Sequence, residues 1–352
     1  MKLFSPFKIR EIELRNRIVV SPMCEYSAKD GHPQTWHLVH LGSRAIGGAG
    51  LVFTEASAVE ERGRISSADT GIYEDGHIAS WRAITEFIQS HGAVPGMQLA
   101  HAGRKASTAP PWTGGKPVSV RDGGWEPVGP SALAFDAGYT VPRELPVAEI
   151  EQIVGAFKKA AERALAAGFE VIEVHAAHGY LLHQFLSPLS NTRTDEFGGT
   201  FENRIRATLK VVRAVREVWP QRLPLFVRVS AKDWKEGGWD LAQTIALARE
   251  LKPLGVDLID ASSGGLVPGV KIPLGPGYQT AFADGIRKEA GIATGAVGMI
   301  SEPVQAETIL ATEQADLVFL AREILRDPYW PRRAAKALDV KIKGPVQYER
   351  AW

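Results

Sequence analysis

Phe169-Glu170-Val171-Ile172-Glu173-Val174-His175-Ala176-Ala177-His178-Gly179-Tyr180 decides how this chain is read. Its first half alternates and is β-branched, as a strand should be. At the strand's end stand two imidazoles three residues apart, with a phenol two residues further on. Gly179 lets the backbone turn between them. Three chemistries fit this stretch. Two hydrogen-bond donors beside an acid of high pKa can hold a carbonyl oxygen and protonate a neighbouring carbon. The pair can be half of a metal site, or two ordinary core histidines. A metal site wants a carboxylate ligand and a base for its water. His-Glu-x-x-His is absent and no acidic residue shares the loop, so no metal is expected.

Outward from this strand, short apolar runs recur at 17–23, 50–56, 94–100, 223–230, 258–263, 293–300 and 316–321, making eight with 169–175. Helical patterns separate most of them, at 36–47, 78–91, 146–167, 200–219, 241–254, 278–289, 303–312 and 331–338. Asp240, Ser301 and Asp327 stand where helices should begin, and Gly92, Gly168, Gly255 and Gly291 where helices should end. Eight strands each followed by a helix predict an α/β fold, a parallel (β/α)8 TIM barrel, as one domain over 1–352. An open doubly wound sheet is disfavoured, because no Gly-x-Gly-x-x-Gly opens a helix after the first strand. The Gly- and Pro-rich interval 101–146 follows the third strand, where this fold keeps its chemistry, and is expected to cap the pocket or form its wall.

Composition narrows the functions. A net charge of +1 gives no electrostatic case for nucleic acid or anionic membrane as partner. The single cysteine, Cys24, excludes an intramolecular disulfide and any all-cysteine metal or iron–sulfur centre within one chain. No apolar run approaches the ~20 residues of a membrane-spanning helix, and the first residues lack a signal-peptide core. A cytoplasmic protein is expected.

The strand ends form a coherent set under the barrel reading. They present Ser21-Pro22-Met23-Cys24-Glu25-Tyr26, Thr54-Glu55-Ala56, Gln98 with His101-Ala102-Gly103-Arg104-Lys105, the histidine pair, Arg228, Ser262-Ser263, Gly298-Met299-Ile300 and Ala321-Arg322-Glu323. The loops after strands seven and eight commonly bind phosphate in this fold. Gly298 allows close backbone approach there and Arg322 offers a charged fork. Gln98 and Arg228 suit the polar edge of a flat heterocycle, unless Arg228 is spent on an internal ion pair with Glu55 or Glu173.

Taken in order, Ser21-Pro22-Met23-Cys24, His101-Ala102-Gly103-Arg104, His175-Ala176-Ala177-His178-Gly179-Tyr180, Asn191-x-Arg193-x-Asp195-x-x-Gly198-Gly199, Asn203-Arg204 and Leu320-Ala321-Arg322 resemble the old yellow enzyme family of FMN-dependent ene-reductases. Cys24, Tyr26 and the tail Tyr348-Glu349-Arg350 look like its bacterial thermophilic-like subclass. The resemblance implies bound FMN, with NADPH or NADH as reductant, and ping-pong reduction of the activated C=C bond of enones and enals through flavin N5. Nitro compounds and other xenobiotics are further acceptors of the family. It places Ser21, Pro22, Met23, Cys24, Ala56, Gln98 and Arg228 around the flavin ring, and Ser263, Gly298, Ala321 and Arg322 at its phosphate. His175 and His178 would grip the substrate oxygen beside Tyr26, with Tyr180 as proton donor and Cys24 tuning the flavin. The tail, about 340–352, would carry Arg350 into a neighbouring subunit's site, implying a homodimer or homotetramer. Weighed against this are the iron–sulfur dienoyl-CoA reductases, which one cysteine excludes, an RNA-modifying flavin barrel, a metal-dependent hydrolase, and a flavin-binding sensor without turnover.

Overall fold

A computed structural model describes residues 1–351; Trp352, the last residue of the expected tail, lies outside the described residues. Eight strands form a closed, wholly parallel barrel. They are β1 (Ile18–Val20), β2 (Leu51–Ala58), β3 (Val94–Ala100), β4 (Val171–Ala176), β5 (Leu225–Ser230), β6 (Leu258–Ser262), β7 (Ala293–Val297) and β8 (Leu317–Leu320). Consecutive strands pair, and β8 closes on β1 through Val318 opposite Ile18. The outer helices are α1 (Thr35–Gly47), α2 (Gly76–Ser90), α3 (Val147–Ala166), α4 (Phe201–Val218), α5 (Leu241–Leu251), α6 (Thr280–Ala290), α7 (Pro303–Ala311) and α8 (Trp330–Ala337). A short hairpin, Phe7–Ile9 with Ile12–Leu14, precedes the barrel.

Strands β1 and β7 are shorter than expected. Ser21 still donates its N–H to Leu320, but Pro22 has no N–H to continue the ladder, so β1 ends. Gly298 takes φ 117°, a turn that ends β7 at Val297. Asp240 caps α5 through Gln243 N–H at 2.9 Å, as expected, whereas Ser301 gives no side-chain cap to α7. The four glycines expected at helix ends all take positive φ, from 63° to 89°.

Side chains alternating along the strands fill the barrel in layers. Phe53, Phe226 and Phe319 stack as a floor, with ring centroids 6.0 and 6.2 Å apart. Above them on β5 the same face carries Arg228 and then Ser230; on β6 it carries Asp260 and then Ser262. The barrel is thus apolar below and polar towards the strand C-termini.

The interval 101–146 is not structureless. It holds three short 3-10 turns, and a two-residue strand Val128–Gly129 that pairs with Arg143–Glu144. Arg193 ties it down, donating to the carbonyls of Pro130 at 3.0 Å and Leu145 at 2.6 Å. Asn191 donates to the carbonyls of Phe185 and Phe197. The Asn-x-Arg-x-Asp motif is therefore a clamp on this cap.

Candidate functional site

At the C-terminal end of β4, His175, His178 and Tyr180 come together as expected. The ring centroid of His175 lies 5.2 Å from that of His178 and 5.1 Å from that of Tyr180, each edge to face. The turn demands φ 57° at His178 and 75° at Gly179. A Cβ at Gly179 would stand 2.2 Å from the Gly265 carbonyl, so only glycine fits. His178 is held at three points. Its N–H donates to Ser230 Oγ at 2.9 Å, its Nε2 meets Ser262 Oγ at 2.7 Å, and its carbonyl accepts from Lys105 Nζ at 2.9 Å. The same ammonium lies 5.0 Å from the Tyr180 ring centroid.

Burial, then the Arg228 charge, pushes both imidazoles well below the ordinary histidine range, so both are neutral. Burial, with the Cys24, Tyr26 and Asp69 charges behind it, pushes the Tyr180 phenol well up, so it keeps its proton. His178 and Tyr180 retain a solvent-facing edge, but the bulk of each ring sits among protein atoms. Desolvation therefore dominates.

The loop after β1 brings Cys24 and Tyr26 against Ile65, Ala102, Ala106 and Tyr180. Cys24 is held mainly by its neighbours: the Ala56 N–H faces its sulfur, while burial and the Asp69 and Glu55 carboxylates push its thiol up. It is a protonated thiol, which rules out a nucleophilic thiolate. Tyr26 packs its ring edge-on against Trp112 of the cap, centroids 5.7 Å apart. Asp69 is a buried carboxyl that sequence reasoning missed; burial and Glu55 raise it to about 7.

In the barrel interior, Gln98 Nε2 donates to Glu173 Oε1 at 2.7 Å. Arg228 Nε stands 2.8 Å from Asp260 Oδ2, yet its N–H is not directed at the oxygen, so the contact is Coulombic rather than a hydrogen bond. The carboxylate against Arg228 is thus Asp260, which the sequence reading did not name; only an acid inside the apolar run Leu258-Ile259-Asp260-Ala261 signalled it. Burial, and for Glu173 the Asp260 charge as well, pushes both carboxyls up.

At the far side, Gly298, Ala321 and Arg322 line a cavity of about 460 Å³ with Gln279, Met299 and Ser301. Among the described residues Arg322 has no carboxylate partner, whereas Arg326 and Arg333 are both spent on Glu323. Ser263 does not offer its hydroxyl here: Oγ donates to Gln279 Oε1 at 2.6 Å and accepts from Trp234 Nε1 at 3.0 Å. Arg350 lies exposed on the turn Val346–Ala351, away from the histidines of its own chain.

These residues fit a flavin mononucleotide. Ser21 Oγ and Arg228 Nε are buried without a hydrogen-bond partner, although Arg228 Nη1 reaches the Pro22 carbonyl at 3.4 Å. Buried polar atoms are normally paired, so the orphaned Ser21 hydroxyl, beside the Pro22 carbonyl that Arg228 reaches, marks a place for a polar ligand. The Arg322 guanidinium at the cavity, on the strand end next to Ser21, supplies the counter-charge for a phosphate. No helix among the described residues is long and apolar enough to cross a membrane.

The profile of the NADH:flavin oxidoreductase / NADH oxidase family matches residues 2–341. An NADPH dehydrogenase of Bacillus licheniformis is 52% identical over 353 aligned positions, covering 100% of this chain and 99% of that one. Morphinone reductase in complex with tetrahydroNAD superposes with a TM-score of 0.80 at 28% identity, covering 99% of this chain and 93% of that one. A 2-naphthoyl-CoA reductase complex superposes with a TM-score of 0.85 at 28% identity over 96% of this chain, which spans only 52% of that longer protein. With the barrel, the flavin-fitting wall and these matches together, the chain belongs to the NADH:flavin oxidoreductase family of old yellow enzymes, FMN-dependent oxidoreductases that draw electrons from a nicotinamide.

Proposed function

We propose that the protein reduces the activated C=C bond of α,β-unsaturated carbonyl compounds, and that His175, His178 and Tyr180 carry the substrate's part of the reaction. The observation behind this reading is that two neutral imidazoles and an un-ionised phenol converge at the end of β4. Bound FMN would supply the hydride chemistry, two electrons from NADPH or NADH passed as hydride to the substrate's β-carbon.

The chain's own residues supply the rest. Ser262 Oγ stands 2.7 Å from His178 Nε2; with the hydroxyl donating, that ring's proton would sit on Nδ1, where it can donate to a carbonyl oxygen. His175 donates from the second side. Both bonds draw electron density from the β-carbon and strengthen as negative charge grows on the oxygen, so they favour the transition state over bound substrate. Tyr180 then gives its proton to the α-carbon; its raised pKa keeps that proton in place until a strongly basic carbon appears. Tyr26 and the Trp112 ring close the pocket side.

Around the cofactor, Ser21, Pro22, Met23, Cys24, Ala56 and Gln98 would line the ring, with Arg228 holding negative charge at its polar edge. Gly298, Ala321 and Arg322 would hold the phosphate, and Ser263 would act there through Gln279. Arg350, exposed on the C-terminal turn, is left for a neighbouring subunit, which supports a homodimer or homotetramer as the working form. The test is anaerobic: NADPH should bleach the yellow FMN-loaded protein, and 2-cyclohexenone should restore its colour. Bleached protein that 2-cyclohexenone leaves bleached would refute the enone reading.

A further inference from the structure

Outside the flavin pocket, the loops after β1 and β2 bring together two imidazoles and a carboxylate that no step above uses. One nitrogen from each ring of His32 and His77 and one oxygen of Glu74 all lie within 4.8 Å of one another. His32 Nε2 and His77 Nε2 each stand 3.7 Å from Glu74 Oε1. That is too long for a hydrogen bond. In a tetrahedral zinc site with bonds of about 2.0–2.2 Å, neighbouring donor atoms stand roughly 3.4 Å apart, so each histidine–carboxylate pair closes by a few tenths of an ångström and the two ring nitrogens, within 4.8 Å of one another, by up to roughly 1.4 Å. Without an ion, His77 Nε2 donates to the Asp30 carbonyl at 3.1 Å, a bond that cation binding would replace.

We propose that His32, Glu74 and His77 bind a divalent cation, best Zn²⁺, which staples the loop carrying Cys24 and Tyr26 to the loop carrying Asp69. The surroundings are those of a built site. His32 Nδ1 meets Ser80 Oγ at 3.0 Å, the outer contact that fixes a ligating ring's tautomer and turns the lone pair of Nε2 to the metal. The His77 ring is fully buried, wedged edge to face between His32 and Tyr73 with centroids 4.5 and 4.6 Å away. Gly31 passes close over it at φ 78°, where a Cβ would stand 2.8 Å from His77 Nε2, so only glycine fits there. Glu74 precedes the first turn of α2 and is more than half exposed, giving the ion its path from solvent. Two imidazoles with one carboxylate suit zinc above magnesium or calcium.

The two loops are already joined by backbone bonds, Ala28 N–H to the Ala68 carbonyl at 2.8 Å and Gly71 N–H to the Gly31 carbonyl at 2.9 Å. A cation would add a link whose strength depends on metal, without touching flavin or substrate.

The experiment uses FMN-loaded protein stripped with chelator, dialysed against Zn²⁺ and analysed for metal by elemental analysis. One equivalent per chain should be retained, and Tm should rise with Zn²⁺ and return on adding chelator. His32→Ala and Glu74→Gln, both at partly exposed side chains, should keep the metal-free Tm. Each should weaken Zn²⁺ binding at least roughly tenfold and abolish the Tm rise. Retention of no zinc by the parent protein overturns the proposal. So does undiminished binding in both variants with loss in His175→Ala, which would place the ion at the flavin pocket instead.

Discussion

Ser262→Ala tests whether a hydroxyl on β6 sets the working tautomer of His178. The structure gives Ser262 one contact at the site, 2.7 Å to His178 Nε2. A neutral hydrogen bond of this kind contributes about 0.5–1.5 kcal/mol net. Removing it also frees the ring to place its proton on Nε2, pointing a lone pair from Nδ1 at the substrate oxygen. Together these should weaken an oxygen ligand about threefold to tenfold. Phenol, an enolate mimic, reports this directly through its perturbation of the flavin spectrum, titrated into FMN-loaded enzyme between pH 6 and 8. Both imidazoles are held neutral by burial, so the loss should be the same across that range. Ser262→Thr keeps the hydroxyl and should bind phenol within about twofold of the parent. FMN content, measured on each variant, separates this from damage at neighbouring Ser263. Unchanged phenol affinity in the alanine variant, or equal losses in alanine and threonine, would refute the tautomer argument.

Tyr180→Phe should leave reduction by NADPH intact and slow re-oxidation by poor enones by about 10²-fold or more, the usual worth of a positioned acid; stopped-flow separates the two half-reactions, and equal slowing of both would contradict the role. Arg322→Ala removes charge-assisted bonds worth about 1.5–3 kcal/mol, so FMN binding should weaken roughly tenfold to a hundredfold, read from the fluorescence of released flavin; undiminished retention would move the phosphate elsewhere. Glu60 is a stability case. Burial alone would raise it, but hydrogen bonds from His101 and Arg62 outweigh that and pull it from 4.5 to about 2. A depressed carboxyl stabilises the fold above its unfolded value and loses that as pH falls towards its folded one. Between pH 5 and 3 the loss should be about 2 kcal/mol, absent in Glu60→Gln. Urea titrations at both pH values check it, and parallel losses in parent and variant would remove Glu60 from the account.

The barrel was legible because each strand is a short β-branched run and each helix starts after a break, patterns that live within ten or twenty residues. Its chemistry was legible only where one loop carries it, as in His175, His178 and Tyr180. Partners brought together by barrel closure leave no local trace. Arg228 stood out as a charge on a strand, but its neighbour Asp260 is 32 positions along and adjacent only because β5 pairs with β6 in that register. The His32 and His77 pair is 45 positions apart and meets only because two loops zip together. Ser263 shows the reverse failure. Its position at a strand end was read correctly, while the Gln279 and Trp234 contacts that consume its hydroxyl come from two other loops.

The placing of Cys24 shows how far from the flavin the site is set. Strand β2 breaks register against β3 between Phe53 and Ala56, and such a bulge redirects a side chain. The side chain at this break is Glu55, and both of its oxygens are used. One meets His37 Nε2 at 2.8 Å and the other accepts the N–H of Glu25 at 3.0 Å. His37 in turn accepts the Gln34 N–H at 2.8 Å, which starts α1. Glu25 is itself fixed by Trp36 Nε1 at 3.0 Å. The backbone one residue beyond Cys24 is thereby anchored to a helix cap and a barrel strand through a buried carboxylate. The Cys24 sulfur adds its own contact to the strand, facing the Ala56 N–H. The loop's position is thus set mainly by Glu55, His37, Glu25 and Trp36 rather than by Cys24.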